Sequence, residues 1–296
     1  MTNGKVENLS IIVPVYNGSK FVSSFFDSLL DALVGISKQV ELIIVDNGSK
    51  DDTSILLIEY SNKNSFIKYY YYDEKEGSYV ARNFGVNKAS FEHIFFTDID
   101  CIFSSNFFNN IFNLVVCNDS FYGGKVEILI EDTGNPWEIL DSGSHMRNEQ
   151  LLSATANMFV KKSLFDVVGN FSETISGGDH DWCRRALSKD LKPVFIDDLI
   201  VFHPPRKNYR EFKQKYLRIA HGDAIIRYRI GYISYMLGLT RFLVKLPLLP
   251  RSTKKIYGIG LKRYILFRLC FIKLRINQLI VYIKTPIYGF KKNPIR

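Results

Sequence analysis

The tetrapeptide TDID (97–100) places Asp98 and Asp100 two positions apart at the end of an apolar run. On an extended segment the side chains at i and i+2 face the same way, so the two acids project together and Ile99 points into the core. Two unpaired carboxylates that close repel each other and resist desolvation, and a divalent cation at or near them relieves both penalties. Mg²⁺ or Mn²⁺ held by one or two carboxylates completes its shell with substrate phosphate oxygens, so such a site is also a phosphate site. The same pair equally suits a turn capping a helix expected over 105–117, and both readings stand on these two residues alone.

Other residues offer matching chemistry, each with a plainer alternative. Tyr16 presents a flat ring for stacking a base or serves packing, and Asp46 accepts from a base imide or ribose hydroxyl or forms the turn before AsnGly. Arg82, one turn into a helix, reaches a phosphate or base carbonyl, or makes an ordinary salt bridge. Asp179 and Asp181 follow GlyGly at 177–178, where carboxylates gain from a positive helix end. The sharper reading makes Asp179 a general base for a reacting hydroxyl. Trp182 either floors a sugar site or packs the core, and His203 is either structural or a further metal ligand.

Elements that position these residues are legible in the apolar periodicity. LSIIVPVY (9–16), VELIIVD (40–46), IKYYYY (67–72) and HIFFTD (93–98) read as strands, and the segments 20–33, from 53 and 78–89 between them read as helices. This βαβαβαβ order predicts an α/β fold, a mostly parallel central sheet covered by helices. Ligands in such sheets bind beyond the carboxyl ends of strands. That rule selects Pro14 to Asn17, Asp46 with Asn47, and Asp98 to Asp100. Less regular strands follow at 122–130, 156–162 and 193–203, with a helix from Asp179 to about Lys189.

Taken together, IIVPVYN, ELIIVDNGSKDDT, GSYVARNFGVNKA, TDID, GGDHDWCRRA and VFHPPR resemble, in order and approximate spacing, the family 2 glycosyltransferases of the GT-A fold. The resemblance spans roughly residues 9–206 and implies inverting transfer of a sugar from a nucleotide-sugar donor, commonly UDP-linked, to a hydroxyl acceptor. It further implies that Val15, Tyr16 and Asp46, beside Pro14, hold the nucleoside and that Arg82 contacts base or phosphates. By the same resemblance Asp98 touches the donor's ribose side, Asp100 ligates Mg²⁺ or Mn²⁺ with His203 nearby, and Asp179 is the catalytic base. One departure is Gly178, where the family usually has an acid before the base. Acceptor contacts then fall to Asp181 and Trp182.

Charge divides the chain near residue 205. From His203 onward there are 22 Lys and Arg against 2 Asp and Glu, and before it 17 against 28. A catalytic domain over 1–205 and a basic helical tail over 206–296 are therefore expected. The tail interleaves its cations with 14 aromatics, and its longest uncharged run is 11 residues, Ile230 to Thr240. That is short of the roughly 20 needed to span a bilayer. Helices lying on an anionic membrane surface fit this pattern, with a basic-faced helical subdomain as the plainer alternative; nucleic acid is disfavoured by the apolar content and lack of a recognition motif.

The four cysteines form no CxxC pair, and the first ten residues lack a signal-peptide pattern. The expectation is a cytoplasmic enzyme, peripheral at the inner face of the plasma membrane, that adds sugar to a glycan or lipid-linked acceptor in surface polysaccharide or glycolipid synthesis. Two other functions stay open: a nucleotide-sugar-binding protein without turnover, hinted at by Gly178, and a sugar nucleotidyltransferase, for which the glycine-rich basic loop is missing.

Overall fold

The run LSIIVPVY becomes the centre of the fold. In the computed structural model, which describes residues 4–145, 154–245 and 261–288, it forms strand β2 (Asn8–Val15), after a short β1 (Gly4–Lys5), and is buried from Leu9 to Val15. Burial on both faces is what a parallel strand between two helical layers requires. Helix α1 (Ser19–Ala32), strand β3 (Gln39–Asp46), helix α2 (Thr53–Lys63), strand β4 (Ile67–Tyr71), helix α3 (Ser78–Lys88) and strand β5 (His93–Phe96) follow. Alternate strand residues divide between the layers. Ile11, Val13, Leu42 and Ile44 pack with Phe25, Phe26 and Leu29 of α1, whereas Ile12, Ile43 and Val45 pack with Ala81 and Val86 of α3.

Next come β6 (Ile102–Phe103), α4 (Phe107–Phe112), β7 (Val115–Val116), β8 (Ser120–Ile128) and α5 (Pro136–His145). A 3₁₀ turn (Thr155–Asn157), β9 (Met158–Lys161), α6 (Leu164–Val168), α7 (Gly178–Leu187) and β10 (Lys192–His203) complete this part. The main sheet runs β4-β3-β2-β5-β9-β8-β10-β6. Its β4-β3-β2-β5 half is parallel, as expected from the βα rhythm. The other half is reversed: β9 is antiparallel to both β5 and β8, and β10 to β6. Antiparallel neighbours need no crossover helix, which is why the rhythm of the sequence changes there.

Two local expectations are corrected. The helix expected over 105–117 is only α4, because Asn109, Asn110 and Asn113 are weak helix formers and Val115–Val116 pair with β1 instead. Strand β5 stops at Phe96, so Asp98 and Asp100 lie in a turn closed by the Cys101 N–H donating to the Asp98 carbonyl at 3.0 Å. Ile99 is buried as expected.

The chain divides into two compact units: 1–127, 148–173 and 179–203, and 128–147, 174–178 and 204–296. The last segment of the second unit thus begins two residues before the expected boundary, and the unit also takes in 128–147 and 174–178, which were expected in the first. Its helices are α5, α8 (Tyr209–Ile230), α9 (Tyr232–Lys245) and α10 (Leu261–Tyr288). Tail residues 246–260 and 289–296 lie outside the described residues. The recruitment of 128–147 has a clear cause. Ile139 and Leu140 pack with Phe212, Phe267, Phe271 and Leu274, and buried Asp141 accepts from Arg206 at 2.9 Å and Lys215 at 2.7 Å. Burial, aided by Arg206, pushes Lys215 down to about 8 against the pull of Asp141.

Candidate active site

The turns after β2 and β3 are laced together. Asn47 N–H donates to the Val15 carbonyl at 2.8 Å, Asn17 N–H to Ser49 Oγ at 2.9 Å and Gly18 N–H to Thr53 Oγ1 at 2.8 Å. Asn17 sits in the left-handed region at φ 50° and returns a bond by accepting from Lys50 N–H at 2.7 Å. Pro14 and Val15 are buried, so their side chains support this floor, and Tyr16, 40% exposed, is the ring presented on it. Asp46 is fully buried, and its carboxylate accepts from Ser49 N–H at 2.9 Å and from the Ser54 and Tyr69 hydroxyls. In this arrangement its carboxylate holds the turn after β3.

Asn47, singled out only as a strand-end residue, organises the approach to α3. Its amide donates to the carbonyls of Tyr72 at 3.0 Å and Lys75 at 2.8 Å and accepts from Gly77 N–H at 2.7 Å. Helix α3 then lies against β2 at Gly85, where a Cβ would come within 2.5 Å of Ile12. Tyr79 and Arg82, three residues apart, share one face of this helix. Arg82 is 4% exposed, pairs with Asp98 and lies 5.3 Å over the Tyr79 ring, while its Nε is buried without a hydrogen-bond partner.

Acids gather beside this pair. The turn that carries Asp100 runs into β6, and β6 pairs with the last residues of β10, Val201 with Phe103 and Phe202 with Ile102. That register delivers His203 Nε2 to 3.1 Å from Asp100 Oδ2. Asp179, in the first turn of α7, accepts from His180 N–H at 2.9 Å, and its charge acts on the Tyr79 phenol. Burial first, then the Asp179 charge, pushes the Tyr79 phenol well above its ordinary value, so it remains a proton donor. Burial also raises Asp98. Arg82 and His203 pull it back, but Asp100 and Asp179 add to the rise. Asp98, Asp100 and Asp179 are thus within electrostatic reach of one another, though far apart in sequence.

Two expected acceptor residues are placed elsewhere. Trp182 has no exposed surface, packs among Phe121, Phe165 and Phe171, and donates its indole N–H to the Gly169 carbonyl at 2.9 Å. It is a core residue and floors no sugar site. Asp181 is 7% exposed and accepts from Ser172 Oγ at 2.6 Å and from Arg184 and Arg185, each at 2.9 Å. Burial raises its carboxyl, yet these bonds together hold it below its ordinary value. A structural ion network therefore replaces the expected acceptor contact. Its signal was in the sequence: Arg184 and Arg185 stand three and four residues after Asp181. Tyr79 was missed, although it precedes Arg82 by one helical turn.

Among the described residues no group of three or more His, Cys, Asp or Glu is arranged to hold a metal ion. Asp100 and His203 supply two adjacent donors, which suits a cation that takes much of its shell from phosphate and water. The raised Asp98 fits a nearby cation, because added positive charge relieves the repulsion that raises it.

Comparison with known proteins identifies the family and the fold. The family model described as Glycosyl transferase family 2 matches residues 10–186. A relative, Glycosyltransferase AglE of Haloferax volcanii, is 30% identical over 222 residues, covering 73% of this chain and 72% of that protein. Glycosyltransferase GlyG of Streptococcus pneumoniae is 25% identical over 220 residues, 68% of this chain and 71% of that one. Among solved structures, a mannosyltransferase from Pyrobaculum calidifontis in complex with GDP-Man and Mn²⁺ shares the fold with a TM-score of 0.61 at 13% identity, covering 94% of this chain and 86% of its own. S. aureus TarS 1–349 in complex with UDP shares it at TM-score 0.55 and 16% identity, with 96% and 93% covered.

Proposed function

The chain belongs to glycosyl transferase family 2, and from that premise we propose that it moves a sugar, with inversion, from a nucleoside-diphosphate donor to a hydroxyl acceptor. The donor is UDP-linked, and the acceptor belongs to a surface polysaccharide or glycolipid. Residues 1–205 carry the reaction and 206–296 attach it to the cytoplasmic face of a membrane. The observation that carries the reaction is the acidic cluster: Asp98, raised by burial, Asp100 and Asp179, beside the buried Arg82. Structural neighbours that hold GDP-Man with Mn²⁺ and UDP support the choice of donor class.

Each residue's part follows from its surroundings. Tyr16 offers its exposed ring to the base, over a floor set by Pro14, Val15 and the turn that Asp46 holds. Arg82, with an unpartnered Nε, has hydrogen-bonding capacity left for a phosphate or ribose oxygen after pairing with Asp98. Asp100 and His203 would hold Mg²⁺ or Mn²⁺, which when bound would supply positive charge to offset the negative charge developing on the departing diphosphate. Asp179 accepts the proton of the acceptor hydroxyl as that oxygen attacks the anomeric carbon. The Tyr79 phenol, kept protonated and within reach of the Asp179 charge, would orient that carboxylate for this transfer.

The test is release of nucleoside diphosphate from a panel of UDP- and GDP-sugars with Mn²⁺ or Mg²⁺ and mixed glycan and lipid-linked acceptors. Turnover by the wild type that collapses in Asp179→Asn supports the reading. Nucleotide binding without turnover of any donor would convert it to a binding protein, the reading that Gly178 favours.

A further inference from the structure

Helix α10 is apolar on two opposite sides. Phe267, Phe271, Leu274, Gln278, Tyr282 and Thr285 are buried, at steps of three and four residues, and bind the helix to its own unit. Tyr282 stacks on Tyr235 of α9, and Gln278 donates to the Tyr216 carbonyl of α8 at 3.0 Å. On the other side Ile265, Leu269, Ile272, Ile276, Ile280 and Ile283 repeat the same steps, and each is 38% to 59% exposed. A 28-residue helix is about 42 Å long, so this stripe is long as well as narrow. Soluble surface helices place charge on the face opposite their buried one, and α10 does not.

Nor can α10 cross a bilayer, since no described helix is long and apolar enough to do so. Its exposed cations, Arg268, Lys273 and Lys284, border the stripe, and the helix contains no acid. From Ala224 to Arg296 there is no Asp or Glu against 16 Lys and Arg. The corner between α8 and α9 repeats the theme: Ile230, Tyr232 and Ile233 are 48%, 71% and 77% exposed beside Arg229.

From this arrangement we infer that the Ile265–Ile283 face of α10 is a docking surface for an anionic lipid leaflet, with the stripe in the acyl boundary and the bordering cations at the headgroups. Charge selects the occupant. A second copy would bring two acid-free cationic faces together, whereas an anionic leaflet supplies both the hydrocarbon and the counter-charge. The helix lies in the membrane plane, held by area and by charge at once. The inference does not depend on the transfer reaction, and its test requires no donor.

The full chain is sedimented with vesicles of phosphatidylcholine alone or mixed equally with phosphatidylglycerol, at low and high salt. Binding at least tenfold tighter to the anionic vesicles, weakened by salt, is expected. The pair Leu269→Asn and Ile276→Asn lowers that affinity at least tenfold, and Ile55→Asn, at an exposed position of α2, leaves it unchanged. As a check that survives any loss of stability in that pair, Ile276→Trp fluorescence is quenched by brominated anionic lipid and Val34→Trp fluorescence is not. Equal affinity for both vesicle types, no effect of the stripe substitutions, or a self-association abolished by them would overturn the inference.

Discussion

Two acidic sites stand at opposite ends of the same parallel strands. At the amino ends, buried Glu41 of β3 accepts from Ser10 Oγ at 2.6 Å, Ser90 N–H at 2.6 Å and Ser90 Oγ at 3.0 Å, and pairs with Lys68. Burial raises its carboxyl, but the bonds from Lys68, Ser10 and Ser90 together outweigh that and hold it below the ordinary value. At the carboxyl ends, Asp98 meets Arg82 and His203, which lower it, and is still raised by burial, Asp100 and Asp179. An acid whose needs are met inside the protein is part of the fold. One whose needs exceed what the protein supplies is left with a demand that a ligand can meet.

Four substitutions break or sharpen this contrast. Asp179→Asn should lower nucleoside diphosphate release by about 10²–10⁴-fold, the usual worth of a general base, with nucleotide affinity by calorimetry unchanged. A rate within threefold of wild type would remove Asp179 from the chemistry. Asp100→Asn should cost about 100-fold in transfer yet leave the melting temperature equal or higher, because it relieves repulsion on Asp98. A marked drop in melting temperature would mean that the carboxyl end is as structural as the amino end.

Glu41→Gln should do the reverse, losing about 2–3 kcal/mol in urea unfolding at neutral pH while transfer per folded molecule is kept. The sign with pH follows from a lowered carboxyl. The wild-type advantage is complete above the ordinary value of 4.5 and disappears as pH falls through the lower folded value. A difference that grows toward acid pH would contradict it. The smallest effect belongs to Tyr79→Phe, which removes the phenol hydroxyl that responds to the Asp179 charge. It should reduce kcat about fivefold, roughly 1 kcal/mol, with KM unchanged.

Strand ends were legible because parallel strands buried on both faces write continuous apolar runs, and polar residues resume where the strand leaves the sheet. Pro14 to Asn17, Asp46 and Asn47, and Asp98 to Asp100 were all found that way. What each polar residue does there was not legible, since it depends on partners brought by other elements. Asp46 is enclosed by Ser49, Ser54 and Tyr69, and Tyr79 meets Asp179 across a hundred residues of chain. The return strands were harder still. Nothing in the local pattern of 128–147 reveals that Asp141 pairs with Arg206 and Lys215, which is what draws that segment into the second unit. Trp182 shows the limit of composition: a rare aromatic three residues after the proposed base is packed in the core.

Helix α3 touches one acid through Tyr79 and another through Arg82, and a helix is the stiffest connector a chain can make. Three residues advance about 4.5 Å along its axis. The helix acts as a calliper whose jaws rest on Asp179, the proposed base, and Asp98, the proposed donor-side acid, and Gly85 against Ile12 fixes its handle to the sheet. One residue inserted between the jaws would turn Arg82 by about 100° away from Asp98. The spacing of the two acids that α3 touches is therefore set by the helix itself, and a change of length in the loops around it leaves that spacing alone.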